Sequence, residues 1–587
     1  MSMKVSKVVF VMVGLLWGQI TLGQSLKLPF FDDFSTSRQI ASPTRWAAGS
    51  SVYINNTLTV NHPSVNVATF DGLRLNGLPY ALNDENAEGG TDTLTSLPID
   101  LGGLTISNGV YLSFYWQRRG LGELPDATDS LSLEFLGSDR VWRKVWTQGG
   151  GVIDNNFAFQ LLQVDNQVYF HPAFQFRFRS RGRQSGMFDS WHIDYVYLNR
   201  DRTATNRPLR DRAMRQPVTP LLRRYTAMPL RQFLAKPAAE LVDTVRSDFT
   251  NLFTEFIPIN SGFSIRDRVS GRLFQYDTLR NPINALGLSR NPLAFRPVLP
   301  TGLSDRAVLQ TTFNLITKDQ SSPDTPGLDL TLNDTLSATT VLDDYYAYDD
   351  GTAETVKQVN QRLARVAVKF SLNQPDAVKG VRINIAPTRR DQRGQTILLG
   401  IYGNNNGQPT DQPILQQPFS VSYAAQRNGF TEFMFAIPVN VPDTVFYVAF
   451  SQLDDPAIPV GFDRNSPFRD KLFVNLGTRW DRVTDQDGAL LLRPVMNGRT
   501  VIITATEPTV AAQVFPNPTS GRLNWAGSLA GSVQLDVLDL SGRMVQTMPL
   551  SPNQTSTDLG SLPDGFYLLR FIDEQARPRT TKLIIRH

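Results

Sequence analysis

The residues of this chain best placed to do chemistry are clustered carboxylates. Asp349, Asp350 and Glu354 surround Gly351 in the run Tyr345-Tyr346-Ala347-Tyr348-Asp349-Asp350-Gly351-Thr352-Ala353-Glu354. Several oxygens on a turn that folds back on itself suit a hard cation, and calcium is the ion such a set would take. The spacing is not that of an EF-hand loop, and a solvated acidic turn is the alternative reading. Asp32, Asp33 and Asp71 make a second carboxylate set, which would have to converge in space. A third group is aromatic and basic. Trp116 and Trp191, with Trp142 and Trp146 nearby, could stack on sugar faces, and Arg177 and Arg179 could supply polar contacts beside them. For any single Trp the competing reading is core packing.

The chain has no His-Glu-x-x-His, no Gly-x-Ser-x-Gly and no phosphate-binding glycine loop. The arrangement Glu-x-Asp-x-x-Glu of concanavalin-like glycosidases is also missing. Two carboxylates converging from distant segments would still suffice for a glycosidase. Of the four histidines, His192 lies between Trp191 and Ile193 on an apolar strand, where packing is the ordinary role. The expectation is therefore a protein that is not an enzyme.

The 587 residues allow about four domains of typical size. Lys and Arg number 58 against 54 Asp and Glu, a balance that does not favour nucleic acid as partner. Cysteine is absent, which removes thiol nucleophiles, thiolate metal sites and disulfides.

The elements that must position these groups are strands. Phe174-Gln175-Phe176-Arg177-Phe178-Arg179 alternates strictly, so Phe faces inward and Arg outward. Short alternating runs bounded by turns argue for β-sandwiches, and the fold class expected is all-β with several of them. A first jelly roll spans 24–202. An Arg- and Pro-rich segment, 203–230, reads as an ordered linker, since proline stiffens its path. An immunoglobulin-like unit covers 231–340, a second jelly roll 341–505, and a small C-terminal sandwich 508–587. Leu241 to Leu252 has both helical spacing and β-branched content, and strand is favoured.

The C-terminal segment carries a recognisable order. Pro516-Asn517-Pro518 and Gly521 come first, then Gly542-Arg543, then Gly565-Phe566-Tyr567, then Lys582 near the end. This resembles the type A C-terminal sorting domain of type IX secretion cargo. The resemblance implies recognition by the outer-membrane translocon, removal of the domain, and often attachment of the body to a surface lipopolysaccharide. Met1 to Gly23 agrees with it: Lys4 and Lys7 precede an apolar stretch shorter than the roughly 20 residues that span a bilayer, as in a cleavable signal peptide. Phe31-Asp32-Asp33-Phe34, Ala68 to Leu73 and Trp191-His192-Ile193-Asp194 resemble MAM-type, concanavalin-like jelly rolls of surface proteins, although the cysteines usual in extracellular MAM domains are missing.

The expected function is a secreted or cell-surface binding or adhesion protein for glycan or matrix. A structural component of the surface or gliding apparatus is the alternative, and a hydrolase with an unfamiliar carboxylate site is the third.

Overall fold

The computed structural model describes residues 25–205, 209–279, 281–304, 306–317, 319, 327–441, 443–453, 455–484, 487–498, 514–525, 533–539, 543–551, 554–572 and 578–587. The expected signal peptide and Gly542 lie outside the described residues. The chain is all-β and divides into two compact units, one up to residue 501 and one from 502 onward. Among the described residues no helix is long and apolar enough to cross a membrane.

The first sandwich is built from ten strands: β1 (Phe30–Asp32), β2 (Tyr53–Asn55), β3 (Val67–Phe70), β4 (Glu88–Thr95), β5 (Tyr111–Arg118), β6 (Ser130–Leu136), β7 (Trp142–Gly149), β8 (Ala158–Gln163), β9 (Phe176–Arg183) and β10 (Trp191–Asn199). They form two antiparallel sheets, β2-β3-β10-β5-β8 with β1 on β10, and β4-β9-β6-β7. Between the sheets lie Phe114, Leu133, Phe176, Phe178, Trp191 and Ile193, all fully buried. The alternation of β9 does this directly: its phenylalanines enter the core and its arginines leave it.

The two sheets differ on their outer faces. On β10 every residue from Trp191 to Leu198 is buried, so both faces of that strand are covered. His192 is on the covered outer face. Its Nδ1 meets Thr69 Oγ1 at 2.9 Å and its Nε2 meets the Arg119 carbonyl at 3.2 Å. Burial pushes its pKa down to about 4, so it is a neutral structural histidine. The outer face of β4-β9-β6-β7 stays open to solvent.

Residues 227–343 supply the next sheet, in which Ala227–Pro229 pairs in parallel with Thr335–Asp343. Arg212–Met214, Val245–Asn251 and Arg290–Phe295 form a three-stranded sheet. The segment 203–230 departs from the linker expected of it. Leu221, Leu222, Tyr225 and Met228 are buried in a core shared with residues up to Met496. Tyr225 donates its hydroxyl to the Ser371 carbonyl at 2.9 Å and packs 4.9 Å from Tyr348. Prolines and arginines hid this apolar pattern. Residues 355–496 complete the unit, with a six-stranded sheet centred on Val445–Gln452 and Arg365–Ser371.

In the second unit, Val533–Leu538, Met544–Leu550, Gly565–Ile572 and Pro578–Ile585 form a four-stranded antiparallel sheet. Leu523, Leu535, Val537, Leu569 and Leu583 are its buried centre.

Candidate functional site

The open face of β4-β9-β6-β7 is the most distinctive surface of the first sandwich. Arg177, Arg179, Arg181 and Arg183 alternate along β9, so all four point to one side. Across the sheet Arg177 faces Thr95 and Glu134, Arg179 faces Thr93 and Ser132, and Arg181 faces Gly90 and Ser130. Arg177 donates to Glu134 at 2.6 Å, and its guanidinium lies 4.1 Å over the Trp142 ring. Arg179 shares the same carboxylate at 3.7 Å. Arg183 lies 5.2 Å over Phe188. Arg181 is exposed and has no side-chain partner among the described residues. An aromatic plate under one guanidinium and open cations beyond it form a polar, stacking-capable surface.

This is not the platform the sequence suggested. Trp191 is fully buried and Trp116 is 8% exposed, both in the sandwich core. They face inward because the residue register puts them between the sheets, and a ligand cannot reach them. Arg177 and Arg179 do lie on the open face, and the aromatic beside them is Trp142.

The carboxylates have protein partners instead of a common ligand. Among the described residues no group of three His, Asp or Glu could hold a metal ion. Asp349 is fully buried and clamped by Arg493, whose Nε donates at 3.1 Å and whose terminal nitrogen makes a second bond. Asp71 is held by Arg427. Asp32 accepts from Trp46 Nε1 at 2.6 Å, and burial raises its pKa to about 6. Asp33 accepts from Ser35 Oγ at 2.7 Å and from Asn333 at 2.9 Å, and burial raises its pKa too. Asp71 therefore does not join Asp32 and Asp33, and the two sets proposed for calcium are not assembled.

Asp350 and Glu354 do meet, together with Asp463, which the sequence did not single out. Asp463 Oδ2 accepts from the Asp350 amide at 2.8 Å, and Glu354 accepts from the Arg464 amide at 2.8 Å. Burial, then neighbouring carboxylates, push Asp463 and Glu354 well above the usual range. Asp350 and Asp463 line a cleft of about 420 Å³ together with Asn61, His62, Arg215 and Arg290. Segments far apart in sequence meet there, from Asn56 to Pro467. His62 holds the Arg215 carbonyl at 2.6 Å and has its pKa pushed down to about 4 by burial.

In the second unit the motif residues are structural. Asn517 donates to the Lys582 carbonyl at 2.8 Å and accepts from the Ile584 amide at 2.9 Å, tying the turn of Pro516 and Pro518 to the last strand. Tyr567 donates to the Pro563 carbonyl at 2.9 Å. The Arg543 amide reaches Asp539 at 3.0 Å, closing a hairpin. Gly565 pairs with Ile585, and Lys582 is exposed opposite Leu568.

Residues 513–586 match the family model of the secretion system C-terminal sorting domain. The protein is type IX secretion cargo, and it is exported to the cell surface or the extracellular space. No curated protein matches the chain. Among solved structures, a Bacteroides uniformis β-glucuronidase is 11% identical, with 47% of this chain and 28% of that one covered at a TM-score of 0.21. The glycoside hydrolase domain of Endo-D from Streptococcus pneumoniae is 9% identical over 54% of this chain and 44% of that one, at 0.21. A Parabacteroides merdae β-glucuronidase is 11% identical over 54% and 37%, at 0.21. The overlap spans less than half of each of those chains, and likeness at this level carries no argument about activity.

Proposed function

We propose that this is a non-enzymatic binding or adhesion protein that recognises glycan or matrix after export. The reading rests on one observation: the outer face of β4-β9-β6-β7 is open and carries Trp142 and a row of arginines, while in the other sheet β10 is covered on both faces. In this reading the first sandwich is a MAM-like, concanavalin-like jelly roll, residues 231–340 are an immunoglobulin-like spacer, and the body is tethered through surface lipopolysaccharide once the sorting domain is removed. The test is retention of the full chain on an array of glycans and matrix proteins. Wild type should be retained, and Trp142→Ala should lose most of that retention with an unchanged melting temperature. A blank array with folded protein would overturn the reading.

A hydrolase is the competing reading, and one observation favours it. Asp463 lines the cleft, and burial and the neighbouring Asp350 and Glu354 raise its pKa, as a general acid requires. Release of reducing sugar by wild type and not by Asp463→Asn would decide for it.

A further inference from the structure

We infer that the arginine ladder of β9 takes a polyanionic glycan, one bearing carboxylate or sulfate groups at regular intervals. The inference rests on the glycan-binding reading above and names the charge class of its ligand. Alternate residues of a strand are about 6.6–6.8 Å apart, so Arg177 to Arg183 spread four guanidiniums over about 20 Å in one line. A ladder serving only stability would place a carboxylate beside each rung. Here Glu134 serves both Arg177 and Arg179, and Arg181 stands between Gly90 and Ser130. The neighbours of the middle rungs, Thr93, Gly90, Ser132 and Ser130, are small and uncharged, which leaves the guanidiniums accessible from above. Lys144 extends the positive row beside Glu134, and Glu88 faces Arg183 across the sheet, with Glu123 also within reach of its charge. The row continues beyond Phe188 to Arg389, 5.9 Å over the same ring. Arg389 and Arg390 share a single carboxylate, Glu85, at 3.6 Å each.

A small anion would be satisfied by one rung. Several like charges in register call for a ligand that repeats its own charge, and guanidinium forks fit carboxylate and sulfate oxygens two at a time. The rungs are closer together than the roughly 8 Å screening length of physiological salt, so they act jointly on such a polymer. Export to the cell exterior favours an acidic polysaccharide over nucleic acid.

The test is binding of the full chain to immobilised polygalacturonate, heparin, neutral galactan and duplex DNA. Polygalacturonate or heparin should bind, and raising salt from about 50 to 300 mM should weaken binding about tenfold or more as screening grows. Arg181→Glu, at a side chain with no partner to lose, should cut affinity about tenfold. The double variant Arg179→Ala/Arg181→Ala should do the same, and Arg479→Ala, remote in sequence and 79% exposed, should change nothing. Binding to neutral galactan at equal strength, unaffected by the ladder variants, would overturn the charge class and leave the glycan reading standing. Preference for duplex DNA over both acidic polysaccharides would overturn the inference in favour of nucleic acid. No binding to any probe by folded chain would overturn both readings.

Discussion

Arg427 forms a buried ion pair with Asp71, more than 350 residues away in sequence, and lies 4.0 Å over the ring of Tyr53. Behind it, Asp92 accepts the Asp71 and Gly72 amides at 2.7 and 2.9 Å and the Tyr80 hydroxyl at 2.8 Å. Burial, then the Asp71 charge, raise the Asp92 pKa to about 7. One guanidinium thus neutralises a carboxylate that has no water to turn to. Breaking such a pair from one side leaves a bare buried charge, whereas replacing both partners does not. Arg427→Ala should destabilise the chain by about 3–5 kcal/mol, and Arg427→Met with Asp71→Asn should recover most of that loss. Urea unfolding of the three chains checks it.

Buried carboxylates also set a pH dependence. Asp211 accepts from the Tyr195 hydroxyl and from Asn333 at 2.8 Å, with Asp33 and Asp319 nearby, and burial lifts its pKa to about 7. Asp334 accepts from Thr317 at 2.5 Å and is lifted by burial to about 8. Both ordinarily titrate at 3.8, so between 3.8 and these values the folded chain holds more protons than the unfolded chain. Their stabilising contribution is whole below 3.8 and is lost as pH rises through 7 to 8. His62 and His192 have the opposite sign: lowered from 6.5 to about 4, they stabilise above 6.5 and lose that contribution as pH falls through 4. The histidines are silent above 6.5, which leaves the raised carboxyls, with Asp92, Glu354 and Asp463 contributing in the same direction. The urea midpoint should fall from pH 6.5 to 9, and Asp334→Asn should flatten the fall. A wild-type midpoint constant over that range would refute the assignment.

Two tryptophans of the first sandwich should separate stability from binding. Trp191 is wholly buried between the sheets, so Trp191→Ala should cost about 3–5 kcal/mol through lost packing and a residual cavity. Trp142 is half-buried on the open face, and Trp142→Ala should change stability by no more than about 1 kcal/mol. Its effect should appear in ligand retention. Thermal melts and array binding on both variants test the division, and lost retention by Trp191→Phe at unchanged melting temperature would contradict it.

What could be read from sequence was whatever depends on near neighbours. The alternation at Phe176 to Arg179 fixes which side chains enter the core, and it needs no knowledge of the rest of the fold. The strand favoured around Leu241 to Leu252 is found at Val245–Asn251, after two short helical turns at Leu230–Ala235 and Pro237–Glu240. Carboxylate roles were not legible, because their partners are remote. Asp349 and Asp350 look like one ion-binding turn, yet Arg493 claims the first from 144 residues away, and the second meets Asp463 from 113 residues away. Likewise a Trp on an alternating strand gives no sign of which of two faces will be covered. That depends on which sheet the later domains pack against.

The sorting domain offers the sharpest single-residue test. Gly521 has φ +131, a conformation that side-chain-bearing residues rarely adopt. A Cβ there would come within 2.5 Å of the Gly560 backbone, where no side chain can move aside. The Gly521 carbonyl also accepts from the Leu559 amide at 2.8 Å, so a shift in this turn would disturb the buried Leu559 of the domain core. Gly521→Ala should therefore loosen the domain without touching the exported body. The expected outcome is accumulation of full-length protein in the periplasm, as for deletion of residues 508–587. Ser520→Ala, at the exposed neighbouring position, should be exported normally. Cell fractionation with surface-protease accessibility reads all three, and normal surface delivery of the deletion variant would overturn the dependence of export on this domain.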